Sequence, residues 1–346
     1  MSMEEIAIVG AGVAGLAAAW SLRQAGREVV VFEKSRGLSG RAATRRRMGK
    51  CYDHGANFFR TEDAEVSALV RQVLPTEDLV EIPGEVWTFG ADGKPVPGDP
   101  VLNSRPKYTY RQGISMLGKL LASAVEPRVH RAVRVGRMDR EGGQWALFDD
   151  DGGELGNFSE VVMTPPAPQA ATLLEASVFD PVVKEALCGT LAQTTYDRQF
   201  TFILGYESHW DRGGPFHALV NRDRGHDVAW ISFENDKEGH VPAGETVLIV
   251  QMSARWSSTF YDAPQADLMA EVVRLVQGVL PGVTQPDWWD SQRWGFARPT
   301  RAVDVEVLRR GEAQGLYFAG DALSGRGRIP LAIKSGLEAA RRLLGE

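Results

Sequence analysis

Three glycines and one acid carry the first recognisable chemistry. Gly10, Gly12 and Gly15 stand as G-x-G-x-x-G directly behind the apolar run Ile6-Ala7-Ile8-Val9, and Glu33 follows the run Val29-Val30-Val31-Phe32, eighteen residues after Gly15. These types at this spacing suit a dinucleotide. Gly10 permits a tight turn out of a strand, Gly12 lets a pyrophosphate approach the backbone, and Gly15 lets the following helix pack close to the sheet. The N-terminus of that helix offers free N–H groups to phosphate oxygens, and Glu33 can accept hydrogen bonds from a ribose diol. The loop from Lys34 to Arg41 adds Arg36 and Arg41, whose planar forks match phosphate oxygens. The pattern by itself serves NAD and FAD equally. Arg45-Arg46-Arg47 reads instead as a solvated charged face, and the histidines have no metal-ligand spacing.

The elements that must hold these residues follow from periodicity. Ile6–Val9 and Val29–Phe32 are predicted as buried parallel strands flanking a helix that Gly26 closes. Val66 to Leu74 steps at helical spacing and stops at Pro75; Ile114 to Leu121 marks another helix after Gly113. Strands are predicted at 132–138, 144–149 and 158–163, the last running into Thr164-Pro165-Pro166-Ala167-Pro168, which reads as a stiff crossover between domains. Beyond it, 200–206, 216–220, 228–234 and 246–252 are short, aromatic and β-branched, as in an antiparallel sheet. Leu268 to Val279 forms an amphipathic helix. Leu316-Tyr317-Phe318-Ala319, Gly320-Asp321 and a helix from about Pro330 to Leu344 return to the style of the start.

Bulk properties narrow the class. With 346 residues and 43% apolar content the chain can bury more than one small core. The net charge of −6 gives no reason to expect nucleic acid or an anionic membrane as partner. Cys51 and Cys188 are too few for a disulfide framework and read as free, apolar residues. No apolar run approaches the ~20 residues of a membrane span, and Glu4-Glu5 is wrong for a signal peptide. A soluble cytoplasmic protein is expected.

The glycine fingerprint, the Arg36-to-Arg41 loop and Ala319-Gly320-Asp321 before the last helix together resemble the FAD-binding fold of the monoamine oxidase and polyamine oxidase superfamily. The family's second motif ends in Gly-Gly-Arg, and here it reads Ser39-Gly40-Arg41. Within the superfamily the chain is similar to the renalases, bacterial members above all. That similarity rests on Lys34-Ser35-Arg36-Gly37, Asp53-x-Gly55-Ala56-x-x-Phe59, Thr164-Pro165-x-Ala167-Pro168-Gln169-Ala170, Trp294-x-x-Ala297-Arg298-Pro299 and Gly320-Asp321-x-x-x-Ser324-Gly325-Arg326. The resemblance implies an α/β architecture: a discontinuous Rossmann-like FAD-binding domain, residues 1–82, 106–168 and 296–346, with an inserted α+β substrate domain, residues 83–105 and 169–295, that contains an antiparallel sheet.

It also implies a site. Gly10, Gly12, Gly15, Glu33, Arg36, Arg41 and Asp321 would hold FAD, non-covalently because no cysteine stands where relatives attach it. Val133 would offer its backbone to adenine, and the helix starting at Ile329 would point its positive end at the flavin pyrimidine ring. Asn57, Phe59, Trp230, Trp256, Trp294 and Phe296 are candidates for the flavin face, Arg298 for pairing with a substrate anion, and His54 for tuning. Trp294, Asn57 and Arg298 are the candidates for catalysis. Renalases oxidise the 2- and 6-dihydro isomers of NAD(P)H, returning NAD(P)+ and passing electrons to O2 to give H2O2. Amine oxidases of the superfamily carry a lysine near the position of Phe200, and this chain has no lysine between 185 and 236. Alternatives are an amine oxidase or a desaturase on the same scaffold, a protein like the GDP-dissociation inhibitors that has lost its flavin, and a plain NAD-dependent dehydrogenase.

Overall fold

The computed structural model describes residues 5–126, 128–209 and 212–346. Its first layer is a five-stranded parallel sheet in the order Leu316–Phe318, Glu160–Met163, Glu5–Val9, Glu28–Glu33, Val129–Arg131. Ile6, Ala7, Ile8, Val29 and Val31 are buried within it, which explains why these strands read as continuous apolar runs rather than alternating ones. The fingerprint helix Val13–Gln24 and the closing helix Ile329–Leu344 cover one face. They pack closely because Gly336 lies on the fingerprint helix, where a Cβ would come within 2.1 Å of the Ala14 carbonyl oxygen.

The other face is covered by a three-stranded antiparallel sheet, Val135–Glu141, Gln144–Asp149 and Glu154–Phe158, and by the helices Ala167–Ala176 and Pro181–Ala192. Here the domain boundary at 168/169 needs correction. Ala170, Ala171, Leu174, Leu187 and Leu191 share a core with Val9, Val30 and Met163, so both helices belong with the parallel sheet, and the packing draws the boundary near residue 195. The proline cluster is the start of a helix, with Pro166 at its N-cap and Pro168 in its first turn, where a missing N–H costs nothing.

The second body is a six-stranded sheet in the order Trp288–Pro299, Tyr196–Tyr206, Thr246–Met252, Val228–Phe233, Phe216–Asn221, Glu85–Phe89. All neighbours are antiparallel except the last pair, which is parallel. Strand alternation sorts its residues onto two faces. Phe200, Phe202, Leu204, Ile231, Leu248 and Val250 pack against Leu268, Val272 and Val276 of the helix Gln265–Gln277. The opposite face, with Thr201, Ser232, Gln251 and Trp294, looks toward the first body. Among the described residues no helix is long and apolar enough to cross a membrane.

Candidate functional site

The turn after the first strand is open where a phosphate would approach. Gly10 has φ +104°, outside the range of most side chains. A Cβ on Gly15 would lie 2.1 Å from the Gly10 carbonyl oxygen, so only glycine lets the helix sit this close, whereas a Cβ on Gly12 would meet no atom within 4 Å. The first helical bond runs from the Leu16 N–H to the Gly12 carbonyl at 3.0 Å. With no side-chain cap and no acid in the first turn, the helix leaves the amides of Val13, Ala14 and Gly15 without intrahelical partners. Glu33 is held beside this turn by two backbone donors, the Ala11 N–H on Oε2 at 2.8 Å and the Ser35 N–H on Oε1 at 2.7 Å. Arg36 is exposed and, among the described residues, makes no ion pair. Val133 follows the short strand Val129–Arg131 instead of lying in a strand, and its N–H is bonded to the Glu33 carbonyl at 2.9 Å, leaving its own carbonyl for a ligand.

The second motif closes on the first. The Ser39 N–H donates to the Ala11 carbonyl at 2.8 Å, and a Cβ on Gly40 would lie 3.2 Å from Gly12 Cα. Ser39 has φ +79°, which explains the glycine at this place in the resembling family and leaves serine strained here. Among the described residues its buried Oγ has no partner. Arg41 forks onto Asp321, with Nη1 to Oδ2 at 2.7 Å and Nη2 to Oδ1 at 2.8 Å, and its Nη1 also reaches the carbonyls of Phe296 and Ala297 at 3.2 Å. Asp321 is buried, just before the closing helix, whose first residue is Ile329 and whose N-terminus also has no side-chain cap. The glycine turn, the uncapped amides, Glu33 and the Arg41–Asp321 pair thus form a seat whose donors and acceptors fit an adenine dinucleotide.

A second wall faces the sheet. His54, Gly55, Ala56 and Asn57 follow the hairpin Thr44–Arg47, Lys50–Asp53. The Ala56 N–H donates to the Arg41 carbonyl at 2.9 Å. A Cβ on Gly55 would meet that same carbonyl oxygen at 2.1 Å and the Trp294 ring at 3.3 Å. Gln251 donates to the Gly55 carbonyl at 2.7 Å, and Ser232 donates to Asn57 Oδ1 at 3.1 Å. Trp294 donates Nε1–H to the His54 carbonyl at 3.1 Å and stacks on the imidazole, centroids 5.5 Å apart. Burial, and then Arg45, hold the His54 pKa down to about 4, so the ring is neutral near pH 7. Trp230 stands 5.9 Å from Phe58. Phe296, partly buried, meets Tyr196 edge-on at 5.6 Å.

Several candidates lie elsewhere. Phe59 packs with Tyr108 and Tyr110 in the core under the parallel sheet, and Trp256 is buried against Phe200 and Phe202 on the helix-covered face of the sheet. Both are core aromatics. Phe200 also points into that core, and alternation gives the site face to Thr201. Arg298 is exposed and donates Nε–H to Asp197 at 2.7 Å.

Sequence reading missed a buried charge network behind the Gly55 loop. Lys237 Nζ lies 3.0 Å from Asp53 Oδ2 and 2.7 Å from Glu234 Oε1, all three side chains at 0% exposure. Asp53 also accepts from Thr44, Thr109 and the Ile114 N–H. Glu234 Oε2 accepts from the Asp53 N–H at 3.0 Å. His240 faces two acceptors, Glu234 Oε2 at 2.8 Å and the Tyr110 carbonyl at 2.9 Å; only the doubly protonated ring satisfies both. Burial opposes that charge, but Glu234 and Asp53 raise the pKa above its ordinary value. Burial pushes Glu234 up, and Lys237 and His240 outweigh it, holding the carboxyl at about 2. Asp53, Glu234 and His240 bring three ligand-type atoms within 4.8 Å of one another, and the Lys237 ammonium supplies the balancing cation. The signal available in sequence was Asp53 itself, two residues before a glycine pinned on Arg41.

Comparison with known proteins agrees with this architecture. A family described as NAD(P)-binding Rossmann-like domain matches residues 8–73, and one described as flavin containing amine oxidoreductase matches residues 84–344. Mouse (Mus musculus) renalase is 21% identical over 198 residues, which cover 57% of this chain and 56% of that protein. Protoporphyrinogen oxidase 2, chloroplastic/mitochondrial, of Arabidopsis thaliana is 39% identical over 70 residues, 20% of this chain and 14% of that protein. These alignments therefore span at most about half the length of the relatives. A proposed protoporphyrinogen oxidase from Exiguobacterium sp. 255-15 superposes over 100% of both chains with a TM-score of 0.80 at 16% identity.

Proposed function

The chain belongs to the flavin containing amine oxidoreductase family, and on that premise we propose that it is an FAD-dependent oxidase of dihydropyridine nucleotides, the 2- and 6-dihydro isomers of NAD(P)H. FAD is the cofactor; when bound, it supplies a hydride acceptor and a route for the electron pair to O2. The amides of Val13, Ala14 and Gly15 would hold its phosphates, Glu33 a ribose, and the Arg41–Asp321 pair the stretch between phosphates and ring. Gly12 keeps the backbone bare where a phosphate must come close, and Gly55 lets its loop seat on the Arg41 carbonyl beside the Trp294 ring.

One observation carries the substrate reading: among the described residues, the wall opposite Gly55–Asn57 holds amides and aromatics and no spare acid or base. Thr201, Gln251 and Gln292 form one row across neighbouring strands, with Trp230 and Trp294 beside it. The nearby acid, Asp290, is bound by Arg45 and Tyr52. His54 is neutral, and Lys237 is sealed in its ion pairs. An amine must lose a proton before it becomes a good hydride donor, whereas a dihydropyridine is one already and needs only to be stacked and oriented. Gln251, whose Nε2 holds the Gly55 carbonyl, keeps Oε1 to accept from the substrate's carboxamide or a ribose hydroxyl, while Gln292 is tied to Arg45 and the Arg293 carbonyl.

Product analysis tests the reading. Aerobic incubation with the 2- or 6-dihydro isomer should yield one NAD(P)+ and one H2O2 for each donor and O2 consumed, with one proton taken from water. Release of ammonia and an aldehyde from an amine at a higher kcat/KM would overturn it.

A further inference from the structure

We propose that Arg326 and Arg328, with Arg298 and Arg60 beside them, form a phosphate-binding clamp at the mouth of the site, and that its ligand is the diphosphate end of the hydride donor. The inference rests on the proposed function and adds the part of the substrate that the amide wall does not address.

The clamp is set by backbone. Arg326-Gly327-Arg328 is the turn ahead of the closing helix. It lies on the strand that carries Trp294, because a Cβ on Gly327 would come within 2.9 Å of Arg298 Cβ. The same point is 3.6 Å from Asp321 Oδ2, which ties the turn to the Arg41–Asp321 pair. Arg60 stands close enough to Arg328 for the two charges to repel. Its guanidinium stands 5.1 Å over Phe58, and Phe58 faces Trp230 on the amide wall.

These residues combine unpaired charge with closeness to one another. The chain has a net charge of −6, and many of its arginines are ion-paired, Arg41, Arg45, Arg128, Arg212 and Arg274 among them. Among the described residues Arg326, Arg328 and Arg60 have no carboxylate within pairing distance, and Arg298 spends only its Nε on Asp197. Asp321, the acid beside them, is already committed to Arg41 on both oxygens. The cations also crowd one another. Burial first, then Arg298 and Arg326, disfavour the charge on Arg328; burial, Arg105 and Arg328 disfavour that on Arg60, against some relief from Glu62. A polyanion with several oxygens would relieve this crowding, and guanidinium forks match phosphate geometry.

ADP-ribose, which has the diphosphate and no hydride donor, is the direct probe. It should bind the FAD-loaded protein in calorimetry, and the double variant Arg326→Ala/Arg328→Ala should weaken it by about tenfold or more. The preference for a dihydronicotinamide dinucleotide over the matching dihydronicotinamide riboside, in kcat/KM, should fall by a similar factor. No binding of ADP-ribose to the unmodified protein, or equal binding by the variant, overturns the clamp while leaving dihydropyridine oxidation standing. Loss of FAD from the variant also overturns it, by giving these arginines to the cofactor. If no dihydropyridine is oxidised but ADP-ribose binding still depends on the two arginines, the proposed substrate fails and the phosphate site survives.

Discussion

Replacing Lys237 by methionine removes one charge and little volume. In the native protein its ammonium touches Asp53 at 3.0 Å and Glu234 at 2.7 Å with no water access. Lys237→Met leaves two carboxylates sharing a sealed site with only His240 to balance them. Breaking a buried pair in this way costs about 3–5 kcal/mol. For 346 residues the unfolding entropy is roughly 0.7 kcal/mol/K, so the melting temperature should fall by about 4–7 °C. The loss should be partly recovered in Lys237→Met/Glu234→Gln, where Asp53 and His240 again balance. Circular dichroism melts of the FAD-loaded proteins measure both. A single variant that melts within about 1 °C of the parent, or a double variant less stable than the single one, would refute the charge-balance argument.

Other expectations follow from the same geometry. Glu234 has its carboxyl lowered from 4.5 to about 2, so its stabilisation is complete above 4.5 and should fade as pH falls toward 2. His240 is raised above its ordinary 6.5; its contribution is complete below 6.5 and should be lost as pH rises through the folded value. A melting-temperature profile flat from pH 2 to 10 would contradict both. Ser39→Gly relieves a left-handed serine and deletes an unpartnered hydroxyl, and should stabilise by about 1 kcal/mol; destabilisation in denaturant titration would count against the strain. Glu33→Ala should lose flavin on dialysis and Gly12→Val should not load it, as read from the visible absorbance of the purified protein; fully yellow variants would remove these residues from the seat.

The sequence was legible where local chemistry repeats a period or a fixed spacing. Ile6–Val9, the three glycines and Glu33 lie within one βαβ unit, so their arrangement follows from covalent neighbours. The apolar stripe Leu268 to Val279 likewise announced its helix. Aromatic residues misled, because type alone does not say which face of a strand they occupy: Trp256 and Phe59 went to cores, and Trp294 to the wall beside Gly55. The charge network was invisible because Asp53 and Lys237 meet across 184 positions of chain, and Lys237 sits among Asp, Glu and Gly as an exposed lysine would. Prolines at 165, 166 and 168 resembled a linker for the same reason that they suit a helix start: neither requires their N–H.

The most direct test of the central reading is anaerobic. The FAD-loaded protein is mixed rapidly with a 2- or 6-dihydro isomer of NAD(P)H, with ordinary 4-dihydro-NAD(P)H, and with primary amines and polyamines, while the visible flavin band is followed. Fast bleaching by the isomers, with the other samples left yellow, is the predicted result. Bleaching by an amine and not by the isomers would contradict it and make this chain an amine oxidase without the lysine.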